Sequence, residues 1–284
     1  MNYKRIIPRL DIKDHNLVKG INLEGLRVLG EPEYFANLYT KEHADEIIYQ
    51  DTVASLYGKS FMLDVINKVA KKTFIPFTVG GGIKNLKDIE DILQAGADKI
   101  SINSETLRNP KIIDDSAKKF GSSTISVNIQ FNKIQDQIKV LIDNGREIFE
   151  KNILEWIKEV EERGAGEIIL TDISREGTGI GGNIDIISSL VKNIKIPTLY
   201  HGGFGKKEHV LEILKIENVD GVCLSSILHY SVLKNTNNQI INNKSEIGNT
   251  QFLEKKNHFG NFEKVSLLEL KKFLKKNNIN TRLN

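Results

Sequence analysis

The chain carries one long pattern twice. Arg5-Ile6-Ile7-Pro8-Arg9-Leu10-Asp11 is answered about 120 residues later by Ile125-Ser126-Val127-Asn128-Ile129-Gln130. The pairing continues at nearly the same offset. Asp51-Thr52 answers Thr171-Asp172, Gly80-Gly81-Gly82 answers Gly202-Gly203, and Asn103-Ser104 answers Ser225-Ser226. A period this long means two copies of a large unit, not a solenoid of short ones. The copies disagree at one chemically important position: Asp11 in the first is Gln130 in the second.

The 284 residues are 39% apolar, which suits one large domain. Net charge is +3 with acids and bases mixed, and no nucleic-acid-binding motif accompanies it, so no nucleic acid is expected as a partner. The single cysteine, Cys223, lies in an apolar run. That excludes a disulfide framework and a Cys-based metal site, and predicts a buried core residue. Met1–Arg5 shows no signal-peptide pattern, and no apolar run is long enough to span a membrane. The expected address is the cytoplasm. No metal-ligand spacing or cofactor motif is present, so neither a metal nor a cofactor is expected.

Eight β-rich runs alternate with helical patterns. The strands are Ile6–Leu10, Glu46–Tyr49, Ile75–Val79, Lys99–Ile102, Thr124–Ile129, Glu167–Leu170, Pro197–Tyr200 and Gly221–Leu224. Helical spacing covers Pro32–His43, Ser60–Lys71, Leu86–Ala95, Pro110–Lys119, Asn152–Arg163, Asp185–Lys192, Lys207–Ile216 and Leu267–Asn277. In two similar halves this reads as an α/β chain, a (β/α)8 TIM barrel with half-barrels of about 1–121 and 122–284. A doubly wound open sheet is the alternative, and the repeat favours the closed barrel. Two excursions interrupt the pattern: a hairpin-like one through Ile138–Ile142 and Asp143-Asn144-Gly145, and an insert, Asn235–Glu263, before the last helix. In a barrel both fall on the C-terminal face of the strands, where chemistry sits.

Gly80-Gly81-Gly82 and Gly202-Gly203 each end a strand before a helix. Such turns either merely tighten the chain or let bare backbone approach a phosphate. Two matched clusters, each beside a polar strand end (Asn103-Ser104 and Ser225-Ser226), favour phosphate, and suit a substrate with one at each end. Asp11, Asp51, Gln130, Thr171 and Asp172 stand at other strand ends. Asp11 is the best acid–base candidate, with a cap as its alternative; Gln130 has no ionisable proton and can only orient. Arg9 shares a side with Asp11 and favours its ionised form. Arg5, Glu46, Lys99 and Glu167 start strands one, two, four and six and would ring the opposite opening. From spacing alone that ring reads as a structural ion-pair plug. His201 reads as a lining residue, and Lys19 as an anion ligand or part of a mobile loop.

Several segments resemble the cyclase subunit of imidazole glycerol phosphate synthase. They include Lys4–Pro8, Leu10–Lys13, Val18–Gly20, Phe77–Ile83, Gly96–Asn103, Arg163–Ile168 and Glu176–Thr178. The resemblance covers Met1 to about Tyr230 and the last helix. It implies a two-fold barrel acting on a bis-phosphorylated ribonucleotide. A glutaminase subunit docks on the barrel bottom, and its ammonia crosses the core to the top. By resemblance Arg5, Glu46, Lys99 and Glu167 become an ammonia gate, Asp98 an interface residue, and Glu176-Gly177 part of a phosphate site with Lys19, Gly81, Gly82, Asn103, Ser104, Thr171, Gly202, Gly203, Ser225 and Ser226.

The departures from the family pattern are specific. Its catalytic carboxylates fall on Asp11 and Gln130, so the second is missing. Its phosphate-site aspartate falls on Glu176, its Thr-Gly on Phe149-Glu150, and a small residue on Arg9. Three readings follow: a working lyase/cyclase, with Gln130 or Asp172 positioning the substrate; an ammonia conduit serving a glycan amidotransferase; and a phosphate-binding barrel without chemistry.

Overall fold

The computed structural model describes residues 3–54, 63–235 and 262–283. The first residues of the Ser60–Lys71 helix and most of the Asn235–Glu263 insert, with Phe252, Leu253 and Phe259, lie outside the described residues.

Eight parallel strands close into a barrel. In chain order the ring is β1 (Arg5–Lys13), β4 (Ile47–Asp51), β5 (Phe77–Gly80), β6 (Lys99–Ile102), β7 (Ile125–Ile134), β10 (Glu167–Asp172), β11 (Thr198–His201) and β12 (Gly221–Leu224). Pairing of β1 with β12, and of β7 with β10, leaves no edge in the ring. All eight expected strands are present, two of them at the expected bounds. The largest differences are the first strands of each half. Both run past the rim because an antiparallel hairpin extends them: β2 (Asn16–Ile21) and β3 (Glu24–Gly30) on β1, and β8 (Gln137–Ile142) and β9 (Glu147–Phe149) on β7. Only the second was expected. Lys19-Gly20, expected as an anion ligand or part of a mobile loop, lies in β2 and not on a loop, and Lys19 is 1% exposed.

Outward-facing strand residues such as Ile6, Leu10, Ile100, Ile168 and Val222 pack against the helices in one continuous core. The helical faces match their 3.6-residue spacing. In α1 (Pro32–Lys41), Phe35, Ala36 and Tyr39 are buried, and proline starts the helix where its missing N–H costs nothing. Asn85 caps Leu86–Gln94 and Ser266 caps Leu267–Lys276, each in a reciprocal capping box. Each such cap is worth about 1 kcal/mol. No helix among the described residues is long and apolar enough to cross a membrane.

Candidate active site

Strand parity builds the site. Ile7 projects inward and meets Ile48, Ile169, Leu199 and Cys223 in a small apolar cluster separate from the main core. Those five come from β1, β4, β10, β11 and β12, so the cluster is a belt inside the ring. Residues two positions earlier on the same strands face inward at the bottom, and those two positions later face inward at the top. The lumen therefore has a floor, a belt and a roof.

The floor is a charged ring. Arg5 pairs with Glu46 at 3.2 Å and with Glu167, and Lys99 reaches Glu46 at 3.0 Å and Glu167 at 3.9 Å. The Thr78 hydroxyl donates to Glu46 at 2.5 Å and the Ser126 hydroxyl to Glu167 at 2.9 Å. Glu46 and Glu167 are buried, so the desolvated carboxylates depend on these partners. Asp98 lies exposed at the same end, where its carboxylate accepts from the Phe77 N–H at 2.8 Å.

On one side of the roof the charges are walled in. Asp11 accepts from Arg9 Nε at 2.9 Å on one oxygen and from Lys19 Nζ at 2.6 Å on the other. Lys19 also bonds Glu176, and His201 Nε2 lies 3.4 Å from the same carboxylate. Arg9, Asp11, Lys19 and Glu176 are each 1% exposed. Two cations and two carboxylates make this quartet neutral. Burial alone would raise the Asp11 pKa, but Lys19 and Arg9 outweigh it and hold the carboxyl well below its usual range. Glu176 is likewise lowered: burial opposes, and Lys19 and His201 win. The expected phosphate ligands Lys19 and Glu176 are thus bonded to each other. His201 Nδ1 donates to the Cys223 carbonyl at 2.8 Å. Burial and the nearby Arg9 cation push its pKa down.

The second glycine turn lies on this closed side. Gly202 (φ 127°) and Gly203 (φ 84°) occupy left-handed backbone, and both are buried. A Cβ on Gly203 would stand 2.3 Å from the Gly181 carbonyl oxygen, so only glycine fits. Gly177 packs against the β2 hairpin, where a Cβ would come 2.3 Å from the Gly20 carbonyl oxygen. Ser225 donates to the Arg9 carbonyl at 2.9 Å, and the buried Ser226 hydroxyl has no partner among the described residues. Thr171 donates to Asn128 at 2.8 Å, inside the lumen. Asp172 turns to Ser174, and burial raises its pKa.

The other side of the roof is an open cleft. Gly81, Gly82, Asn103, Ser104, Lys84 and Arg108 line it together with Gln50, Asn128 and Gln130. Gly81 and Gly82 have φ of 100° and 73°, and both glycines are half-buried. Ser104 begins a short helix, Ser104–Arg108, and accepts from the Asp143 N–H at 2.9 Å. The amide oxygens of Gln130 and Asn103 and the Ser101 hydroxyl are buried without partners among the described residues. These oxygens line the opening and can accept hydrogen bonds from a ligand seated there. No cluster of His, Cys, Asp and Glu that could hold a metal occurs among the described residues.

Sequence reasoning missed Gln50, Lys84, Arg108 and Asn128 in this cleft. Gln50 and Asn128 were readable in principle: each lies an even number of residues from an inward-facing position on its strand. Arg108 was not, because it arrives on a short helix that no periodicity reveals.

The Histidine biosynthesis protein family model matches residues 5–234. Three relatives carry the name Imidazole glycerol phosphate synthase subunit HisF. The one from Bacillus cereus (strain G9842) is 42% identical over 228 residues, covering 80% of this chain and 90% of its own. The one from Hydrogenobaculum sp. (strain Y04AAS1) is 39% identical, covering 99% of each. The one from Clostridium botulinum (strain 657 / Type Ba4) is 44% identical, covering 81% of this chain and 92% of its own.

Proposed function

The chain belongs to the histidine biosynthesis protein family, and from that premise we propose that it is the cyclase subunit of an imidazole glycerol phosphate synthase. In this reading a partner glutaminase docks at the floor beside Asp98 and releases ammonia. The ammonia passes Arg5, Glu46, Lys99 and Glu167, crosses the apolar belt and meets a bis-phosphorylated ribonucleotide on the roof. There a carbon–nitrogen bond is cleaved and the imidazole ring closes. The observation that carries the reading is the three-level lumen: a charged floor, an apolar middle, and a roof with two glycine turns.

The residues divide the work. Gly81, Gly82, Asn103 and Ser104 hold one phosphate through backbone N–H and side-chain donors, with Lys84 and Arg108 supplying charge. Gly177, Gly202, Gly203, Ser225 and Ser226 hold the other. That end is covered, so substrate entry requires Lys19 to leave Asp11 and Glu176. Asp11, ionised at the outset, takes a proton from the attacking amine and then returns it to the leaving nitrogen. Gln130 offers an amide N–H and a carbonyl oxygen and holds the substrate without moving a proton. One group thus performs both proton transfers.

The test is turnover of purified protein with the family substrate and ammonium salt. We expect product at a rate about 10²–10⁴ below that of a two-carboxylate barrel. Tight substrate binding with no product would sink the cyclase reading. It would favour the conduit for glycan amidation, which the intact floor beneath a roof lacking the second carboxylate also fits.

A further inference from the structure

Arg9 is unusual within this lumen. It rises from β1 directly above Ile7, and its neighbour in register on β4 is Ile48. Both of those residues belong to the apolar belt. Its backbone is fixed on two sides, because Ser225 and His229 Nε2 both donate to its carbonyl oxygen at 2.9 Å. Its side chain is 1% exposed, with Nε on Asp11 and Nη2 buried without a partner among the described residues. The charge lies close enough to act on two other lumen groups. It opposes the effect of burial on the Cys223 thiol and adds to the effect of burial on the His201 ring.

A guanidinium is a planar fork about as wide as an aromatic ring, and it cannot be deprotonated. Arg9 holds such a group above the belt, buried and bonded to Asp11. It is also tethered: its Nε donates to Asp11, whose other oxygen is held by Lys19. The tether loosens when Asp11 takes another partner.

We infer that Arg9 is a stopper at the upper end of the lumen, latched by Asp11, so that the barrel is closed at both ends: by the ionic floor below and by this guanidinium above. Arg9 is then a positioning residue. It separates the belt from the roof until Asp11 engages a ligand, and so times the arrival of a small nucleophile to the presence of substrate. The closure rests on geometry alone. Its use in timing rests on the reading of the lumen as a passage.

Cys223 allows the closure to be tested without any enzymatic assay, because it is the single cysteine of the chain and sits in the belt. The probe is methyl methanethiosulfonate, followed by mass spectrometry on the full-length protein. Arg9→Ala removes the stopper and Asp11→Asn cuts its latch, so the two variants disturb the same closure by different lesions. Each should react about tenfold faster or more than the parent protein, as expected when access is limited by a local opening. The acceleration must persist unchanged in low, non-denaturing urea, which separates passage through a folded barrel from unfolding. Equal rates in parent and folded variant, or a rate that climbs with urea, would overturn the stopper.

A second arm uses the complex with its glutaminase and compares glutamine-driven with ammonium-driven turnover. Arg9→Ala should raise the ratio of the two, because only the glutamine-driven route crosses the belt. A parallel change in both rates would leave Arg9 as a clamp on Asp11 and remove its role in timing. Absence of product from either nitrogen source would count against the cyclase reading, and the thiol rates would still decide the closure.

Discussion

The roof of this barrel has two unlike sides, and each draws strands from both repeats: Asp11 and Lys19 meet Glu176 on one, and Gly81, Gly82 and Asn103 stand with Gln130 on the other. On the side of Asp11, Arg9, Asp11, Lys19 and Glu176 all have charged partners, the glycine turn is buried, and the β2–β3 hairpin packs on Gly177. On the side of Gln130, the glycine turn is half-buried and the cleft is open, while buried polar atoms without partners among the described residues occur on both sides. Gln130 pairs with Leu141 of its own hairpin, as Ile12 pairs with Leu17 in the other. Both first strands thus carry an antiparallel hairpin, the second paired over the longer stretch. What closes one side is a cation on the hairpin: Lys19 reaches down to two carboxylates, and β8 sends no such residue. A few side chains decide which side is dry and which receives solvent.

Four experiments would break or sharpen this contrast. The largest effect should come from Gln130→Asp, which supplies the missing second acid–base group. Turnover with the family substrate should rise by about 10²–10⁴. No gain in a folded variant would mean that the absent carboxylate does not limit this site. Next is Asp11→Ala, which leaves Arg9 and Lys19 facing Glu176 alone. An uncompensated buried charge should cost about 3–5 kcal/mol of stability in denaturant melts, and a loss under about 1 kcal/mol would show that the quartet is more solvated than its burial implies.

The third is a pH series. His229, on the closed side, donates from Nε2 to the Arg9 carbonyl, so its Nδ1 must accept from the Tyr39 hydroxyl at 2.7 Å. Protonation would break that second bond. Burial and the nearby Lys19 lower its pKa to about 4, against about 6.5 unfolded. The unfolded chain thus binds the proton first. The stability this group supplies is complete above the unfolded value and is lost as pH falls towards 4. Between pH 7.5 and 5 the loss should be about 2 kcal/mol. His229→Gln should flatten that part of the profile, and an unchanged slope would assign the effect elsewhere. Asp11 and Glu176, both lowered, add a further loss only below about pH 4. The smallest effect should come from Gln130→Met. Its amide oxygen has no partner to lose, so stability should stay within about 1 kcal/mol of the parent. A larger drop would mean that the open side is bonded in solution.

The fold was legible because the repeat and the strand spacing agree. Lys99–Ile102 and Gly221–Leu224 occupy the expected bounds, and even spacing along β1 placed Arg5, Arg9 and Asp11 on one side of the strand. The first hairpin was missed for a local reason. Its turns carry Asp14, Asn22 and Leu23 at positive φ, without the Asp-Asn-Gly run that marks the second hairpin at 143–145. The repeat itself would have found it, since β7 carries a hairpin at the matching place. The quartet was only half readable. Parity predicts that Arg9 lies below Asp11, but Lys19 and Glu176 meet across 157 residues of sequence, and no local pattern encodes that contact.

The neutrality of Arg9, Asp11, Lys19 and Glu176 also constrains how such a barrel can change. Removing any one member strands an opposite charge in a dry place, so each first step away is a stumble. Only paired replacements keep the sum at zero. A lineage holding this quartet is confined to moving its members two at a time, while the cleft around Gln130 is free to drift one residue at a time.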